Sequence, residues 1–191
     1  MGDSARPLAT YDDVLAAPRD KVAEVIRGRL HTHPRPALPH AAAASALSDE
    51  LGPPFKRGRG GPGGWIILFE PELHLGQDIL VPDLAGWRRE RLPALPAEPF
   101  ISLAPDWVCE VLSPSTAKMD RVEKLPIYAR ESVRHVWLLD PIQRMLEVFR
   151  MDEGRYTLLG AYKDDDVVTA EPFEVFALEL AVLWADVVQA E

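Results

Sequence analysis

An α/β fold, an α+β mixed sheet flanked by helices, is predicted by three features of the chain. Short apolar runs at residues 65–68, 79–81, 107–112 and 133–139 are bounded by proline, glycine or acidic residues, as strands are. Between them lie stretches with helical signals, an alanine-rich one at residues 40–51 and an acid-led one at residues 120–131. An apolar content of 47% in 191 residues supplies one hydrophobic core, which predicts a single domain over residues 1–191 with a flexible tail at residues 1–9.

The formal charge of −9 argues against a broad nucleic-acid-binding surface, because neutralising phosphates needs clustered Lys and Arg. It leaves room for a local basic groove, and acids gathered for a cation contribute to the negative sum. Arg57, Arg59, Arg88, Arg89 and Arg91 are the basic residues nearest the central stretch. The single cysteine, Cys109, lies in an apolar run, as a core residue of a reducing compartment does. No segment approaches the roughly 18 apolar residues that span a bilayer, and the N-terminus lacks a basic-then-apolar export signal. A cytoplasmic location with no membrane partner is expected.

Taken in order, residues 10–17 form a short helix that Thr10 caps, with Asp13 in its first turn and Pro18 at its end. KVAEVIRGRL alternates loosely and reads as a strand or a helix edge; Glu24 on it is either a solvated charge or a member of an acid cluster. HTHPRPALP reads as an exposed loop, so His31 and His33 are read as polar surface residues rather than a metal pair. The glycine-rich PPFKRGRGGPGG is a surface loop without the Lys-Ser or Lys-Thr ending of a phosphate cradle. Residues 65–68 form a strand, extended or returned by EPELHL, in which Leu73 and Leu75 oppose Glu72 and His74.

A strand at residues 79–81 continues past Pro82-Asp83 into LAGW, and four prolines then make residues 93–105 an irregular excursion. DWVCEVL is the strongest interior strand; it sets Glu110 among apolar neighbours, where an acid needs a partner or an ion. Asp120 and Glu123 have capping-box spacing, so a helix starts after Asp120, with Lys124, Tyr128 and Glu131 on one side. Residues 133–139 form a strand ending at Asp140-Pro141, residues 145–150 and 155–159 a hairpin, residues 167–170 an edge strand, and residues 178–185 a closing helix.

Phosphodiester hydrolysis needs an activated water and stabilisation of phosphate charge, which carboxylate-held cations supply. Asp83 and Glu110 are the minimum anchors, Lys124 a water-orienting or charge-stabilising residue, and Glu70 and Glu72 supplementary candidates for the metal or for positioning water, Glu72 the preferred of the two. A generic structural reading of these acids stands beside that one. The combination of TYDDVLAAP, EVIRGRL, His40 before the alanine helix, VPDLAGW, CEVLSPST, DRVEKLPIYARESVRHVWLLD and EPFEVFALELAVLW resembles a bacterial family of putative restriction endonucleases, formerly a domain of unknown function, in the PD-(D/E)XK nuclease superfamily. The resemblance covers residues 10–184 and implies a restriction-endonuclease-like core.

It further implies a metal-dependent nuclease, with DNA as substrate and Mg or Mn as cofactor. Pro82-Asp83 is similar to the PD half of the signature and Glu110 to the acid of its second half. Leu112 departs from the pattern, which has lysine there; the resemblance implies that Lys124 takes the role, with Lys118 and Arg121 as lesser alternatives. It also implies Glu24 as an N-terminal acid of the metal environment, and a homodimer, for which the alanine helix offers a close-packing face. His40, Arg88, Arg89, Lys118 and Arg121 are the expected substrate contacts. The other reading is a noncatalytic nucleic-acid-binding or protein-association module that retains the fold.

Overall fold

The computed structural model describes residues 7–187. Its centre is a six-stranded sheet in the order β10-β9-β8-β7-β6-β3. The strands are β3 (Trp65–Phe69), β6 (Leu84–Arg88), β7 (Trp107–Val111), β8 (His135–Asp140), β9 (Met145–Asp152) and β10 (Arg155–Lys163). All neighbours run antiparallel except β7 and β8, which are parallel and so require a crossover. That crossover carries α3 (Ala117–Met119), a wide π-helical turn at Asp120–Lys124, and α4 (Leu125–Arg130). A second sheet, ordered β2-β1-β5-β4, contains β1 (Lys21–Ile26), β2 (Arg29–Pro34), β4 (Leu73–Leu75) and β5 (Asp78–Leu80). The short strands β11 (Val167–Val168) and β12 (Leu178–Glu179) pair apart from both.

Strand β7 is buried throughout, and its alternation divides the core. Trp107, Cys109 and Val111 face one layer, where α2 (Leu38–Leu51) sets Ala43, Ala44, Leu47 and Leu51 against the sheet beside Phe173, Leu183 and Trp184. Val108 and Leu112 face the other layer, packed with Ile127 and Tyr128 of α4 and with Ile26, Leu73, Leu75 and Leu80 of the second sheet. The alanines of α2 let the helix lie close to its own sheet. Gly86 serves the same end on β6: a Cβ there would come within 3.2 Å of both Trp65 and Trp107.

Several local expectations are corrected. KVAEVI is strand β1, and HTHP is not loop but its antiparallel partner β2, joined through Arg27 and Gly28 at positive φ. EPELHL does not return on β3; Glu70 adopts φ 44°, Pro71 follows, and β4 leaves to pair with β5 in the second sheet. LAGW does not continue the strand before it, because Pro82-Asp83 carries the chain from one sheet to the other. Asp120 caps nothing: the helix begins earlier, at Ala117, and Asp120 is buried inside the wide turn. The loop after α2 starts as a π-helical turn that buries Pro54 and Phe55. The closing segment is β12 followed by a 3-10 turn, Leu180–Trp184. Of the expected tail, residues 1–6 lie outside the described residues, and the Ala9 N–H donates to the Gly28 carbonyl at 2.9 Å. Among the described residues no helix is long and apolar enough to cross a membrane.

Candidate active site

Where the two sheets meet, a cavity of about 300 Å³ is lined by Glu24, His33, His40, Asp83, Glu110, Asp120 and Lys124. The seven arrive from six parts of the chain. Strand β1 brings Glu24, β2 His33, the first turn of α2 His40, the link between the sheets Asp83, β7 Glu110, and the crossover Asp120 and Lys124. A π-helical turn is wider than an α-helical one and recurs at functional sites. Here it turns both Asp120 and Lys124 inward.

Lys124 is the centre of the charge network. Its Nζ lies 2.9 Å from Glu24 Oε1, 3.3 Å from Glu110 Oε1 and 3.4 Å from Asp120 Oδ1. Glu110, only 2% exposed, also accepts a 2.5 Å hydrogen bond from the Tyr128 hydroxyl, one helical turn beyond Lys124. Glu24 accepts further from the Val81 N–H at 2.8 Å and lies 3.2 Å from His33 Nε2. Asp83 accepts from the Val111 N–H at 2.7 Å, and His40 Nε2 lies 3.2 Å from its other oxygen. Asp83 is therefore latched to the residue that follows Glu110 on β7.

Charge is unbalanced in this space, since Glu24, Glu110 and Asp120 share one lysine and Asp83 faces His40. Burial pushes the carboxyl of Glu110 well above its ordinary range, and Asp120, Asp83 and Glu24 add repulsion that Lys124 only partly offsets. Asp120 is raised for the same reasons, burial first. Burial also works against Glu24, but Lys124 and the hydrogen bonds from His33 and Val81 prevail and hold it at about 2. For Lys124, the surrounding acids outweigh burial and lift the ammonium well above its ordinary value. Burial lowers His40, yet Asp83 and Asp120 raise it on balance. The carboxylates outnumber their cation, and the two expected anchors offer the hard oxygen donors that Mg or Mn takes. In charge and donor type the residues fit a divalent cation. Among the described residues no three His, Cys, Asp or Glu side chains form a ready ligand set, and several of these oxygens are engaged with Lys124, Tyr128 and backbone N–H groups.

The chain therefore brings together Asp83, Glu110, Lys124, Glu24 and His40, and leaves the other expected residues elsewhere. Glu72 is not at the cavity; it bonds His74 Nε2 at 2.8 Å, and Glu70 takes the place on the cavity wall. Arg88 stacks over Trp65 at the far end of β6, and the Arg89 N–H donates to Gly64 there. Lys118 is exposed and does not line the cavity, and Arg121 pairs with Glu147. Two lining residues were missed in the sequence, Asp120, disguised by its capping-box spacing, and His33, disguised by the prolines around it; of the two supplementary acids, Glu70 is at the cavity and Glu72 is not.

The profile of the Uma2 family, described as "Putative restriction endonuclease", matches residues 8–183. The chain belongs to the Uma2 family. Among solved structures it is similar to a putative nuclease belonging to DUF820 from Anabaena variabilis ATCC 29413. The TM-score is 0.71 at 21% identity, over 93% of this chain and 98% of that one. This likeness shows the fold, a restriction-endonuclease-like core with a central mixed sheet flanked by helices. No curated protein matches the chain. Within the Uma2 chain, Leu112 is 2% exposed and packed in the apolar layer beside Val108 and Ile127, so the position two residues after the acid is a core position.

Proposed function

We propose that this Uma2 chain is a metal-dependent nuclease that hydrolyses phosphodiester bonds in DNA, with Asp83 and Glu110 holding Mg or Mn. The observation that carries the reading is the approach of Lys124 Nζ to Glu110 Oε1, 3.3 Å, at the floor of a cavity that Asp83 also lines. The helix thus delivers an ammonium to the acid that the strand cannot supply from Leu112. A cation bound there would polarise a phosphoryl oxygen and lower the pKa of a bound water.

The chain's own residues do the positioning. The Val111 N–H fixes one Asp83 oxygen, and His40 orients the other. Tyr128 aims Glu110 from below, and Glu24 and Asp120 hold Lys124 so that its ammonium is already in place to stabilise charge on the transferring phosphoryl group. The test is Mg- or Mn-dependent cleavage of varied DNA substrates by the wild type and by Asp83→Ala. Loss of cleavage in the variant supports the reading; equal cleavage removes Asp83 from the chemistry.

The engagement of Lys124 by three acids favours a second reading, a noncatalytic module that keeps the nuclease fold and uses the ion-pair network for stability. Calorimetric titration separates the two. A folded chain that takes up no Mg or Mn at millimolar concentration fits the second reading and contradicts the first.

A further inference from the structure

The cavity that holds the acids does not end at them. Val22, Arg35, Glu70 and Val81 line it and also line an adjoining, shallower groove of about 350 Å³ that runs toward α1 (Tyr11–Leu15). Two features of this continuous depression decide what can enter it. Near the acids the walls are apolar, made by Val22, Pro34, Pro36, Val81 and Pro114. Along the groove three cations, Arg19, Lys21 and Arg35, outnumber two acids, Glu70 and Glu72, the latter engaged with His74. Arg35 is 3.7 Å from Glu70, a long contact, and among the described residues Arg19 and Lys21 have no carboxylate partner.

A duplex suits this surface poorly. It carries one negative charge per ~1.7 Å and is held by cations set against both backbones. Here, among the described residues, Arg35 and the buried Lys124 are the only lysine or arginine side chains lining the acid cavity, and Glu70 stands beside Arg35 on the wall. Glu110 and Lys124, at 2% and 5% exposure, are reached only by a phosphate that descends between the walls. A single strand meets both requirements: an unpaired base can lie against valine and proline while its phosphate goes down to the acids, and the flanking backbone can follow a narrow file of cations.

Resting on the nuclease reading for the chemistry at the acids, we propose that the substrate is an unpaired DNA strand, threaded one nucleotide at a time into the cavity with its flank lying in the groove of Arg19, Lys21 and Arg35. Glu70 borders both compartments, so the strand passes it on the Val22 side, where the two apolar residues shared by cavity and groove make the wall.

The test is binding, measured by fluorescence anisotropy with labelled DNA of about 12 nucleotides, single-stranded or as a duplex of the same sequence, in calcium as an unreactive hard cation. The wild type is expected to bind the single strand at least about tenfold tighter than the duplex. Arg19→Glu with Lys21→Glu reverses two exposed charges outside the acid cavity. It is expected to weaken single-strand binding by about tenfold and to flatten the salt dependence by about 1.4 in log–log slope, the share of two phosphate contacts. Equal or tighter duplex binding, or a double variant indistinguishable from the wild type, overturns the proposal. Cleavage is scored separately on the same two DNAs with Mn. Single-strand binding without cleavage rejects the nuclease reading and keeps the groove, whereas cleavage confined to the duplex rejects the groove and keeps the nuclease reading.

Discussion

Replacing Lys124 with Met removes one charge and keeps most of the stem. Glu24, Glu110 and Asp120 lose their shared cation, and all three are buried. Removing one partner of a buried pair costs about 3–5 kcal/mol, because the other is left uncompensated. Of a total stability of about 5–15 kcal/mol, that is a large fraction. The pH dependence identifies the cause. In the wild type, Glu24 is depressed from 4.5 to about 2, so its contribution is complete above 4.5 and is lost as pH falls through about 2. In Lys124→Met the chief lowering influence on Glu24 is gone, and burial lifts it, as it already lifts Glu110 and Asp120. A raised carboxyl makes the folded state bind more protons than the unfolded one, so stability falls as pH rises above about 4.5. Urea unfolding at pH 5 and pH 8 is therefore expected to show the full loss of about 3–5 kcal/mol at the higher pH and a clearly smaller loss at the lower. A loss under about 1 kcal/mol at pH 8, the scale of an exposed ion pair, or the same loss at both pH values, would refute the charge-network account.

Three further outcomes are expected. Mn at about ten times its dissociation constant stabilises the wild type by about 1.4 kcal/mol, a rise in Tm of about 3–6 °C by differential scanning fluorimetry, and Asp83→Asn abolishes the rise. Tyr128→Phe leaves Glu110 without its hydroxyl donor and costs about 1.5–3 kcal/mol in urea unfolding, with the fold intact by circular dichroism. Gly86→Ala drives a methyl against Trp65 and Trp107 and destabilises by about 1–3 kcal/mol, seen as a lower urea midpoint at unchanged slope.

Glu110 and Lys124 were legible in the sequence for physical reasons. An acid in DWVCEVL breaks an otherwise apolar face, and Lys124 and Tyr128 share a helix side at the spacing that lets both reach it. Asp120 was not legible, because an acid three residues before Glu123 looks the same whether it caps a helix or is swallowed by a widened turn. His33 was hidden by three prolines that read as loop, although Pro34 ends a strand at the sheet edge, where proline is tolerated. Of the two supplementary acids, Glu72 was preferred to Glu70 because alternation was carried through from β3. The left-handed backbone at Glu70 and Pro71 after it break the phase, a feature that side-chain pattern alone does not reveal. The division into two sheets was missed for a related reason, since Pro82-Asp83 sits between apolar runs that read as one strand.

The position of Asp83 at the passage between the sheets bears on the order in which the molecule assembles. The hairpins of β9 with β10 and of β1 with β2 close over short loops, but the charged cavity joins residues as distant as Glu24 and Lys124. Contacts of that separation carry the largest loop-closure cost and form once shorter-range structure has reduced it. Until β1 docks beside β5, Glu24 remains apart from Asp83, Glu110 and Asp120, and the full set of four acids is not assembled. Their mutual strain is then felt in the native state more than at the folding barrier, so substitutions in the cavity act mainly on the rate of unfolding. Such a chain can carry an electrostatically costly centre without slowing its own folding.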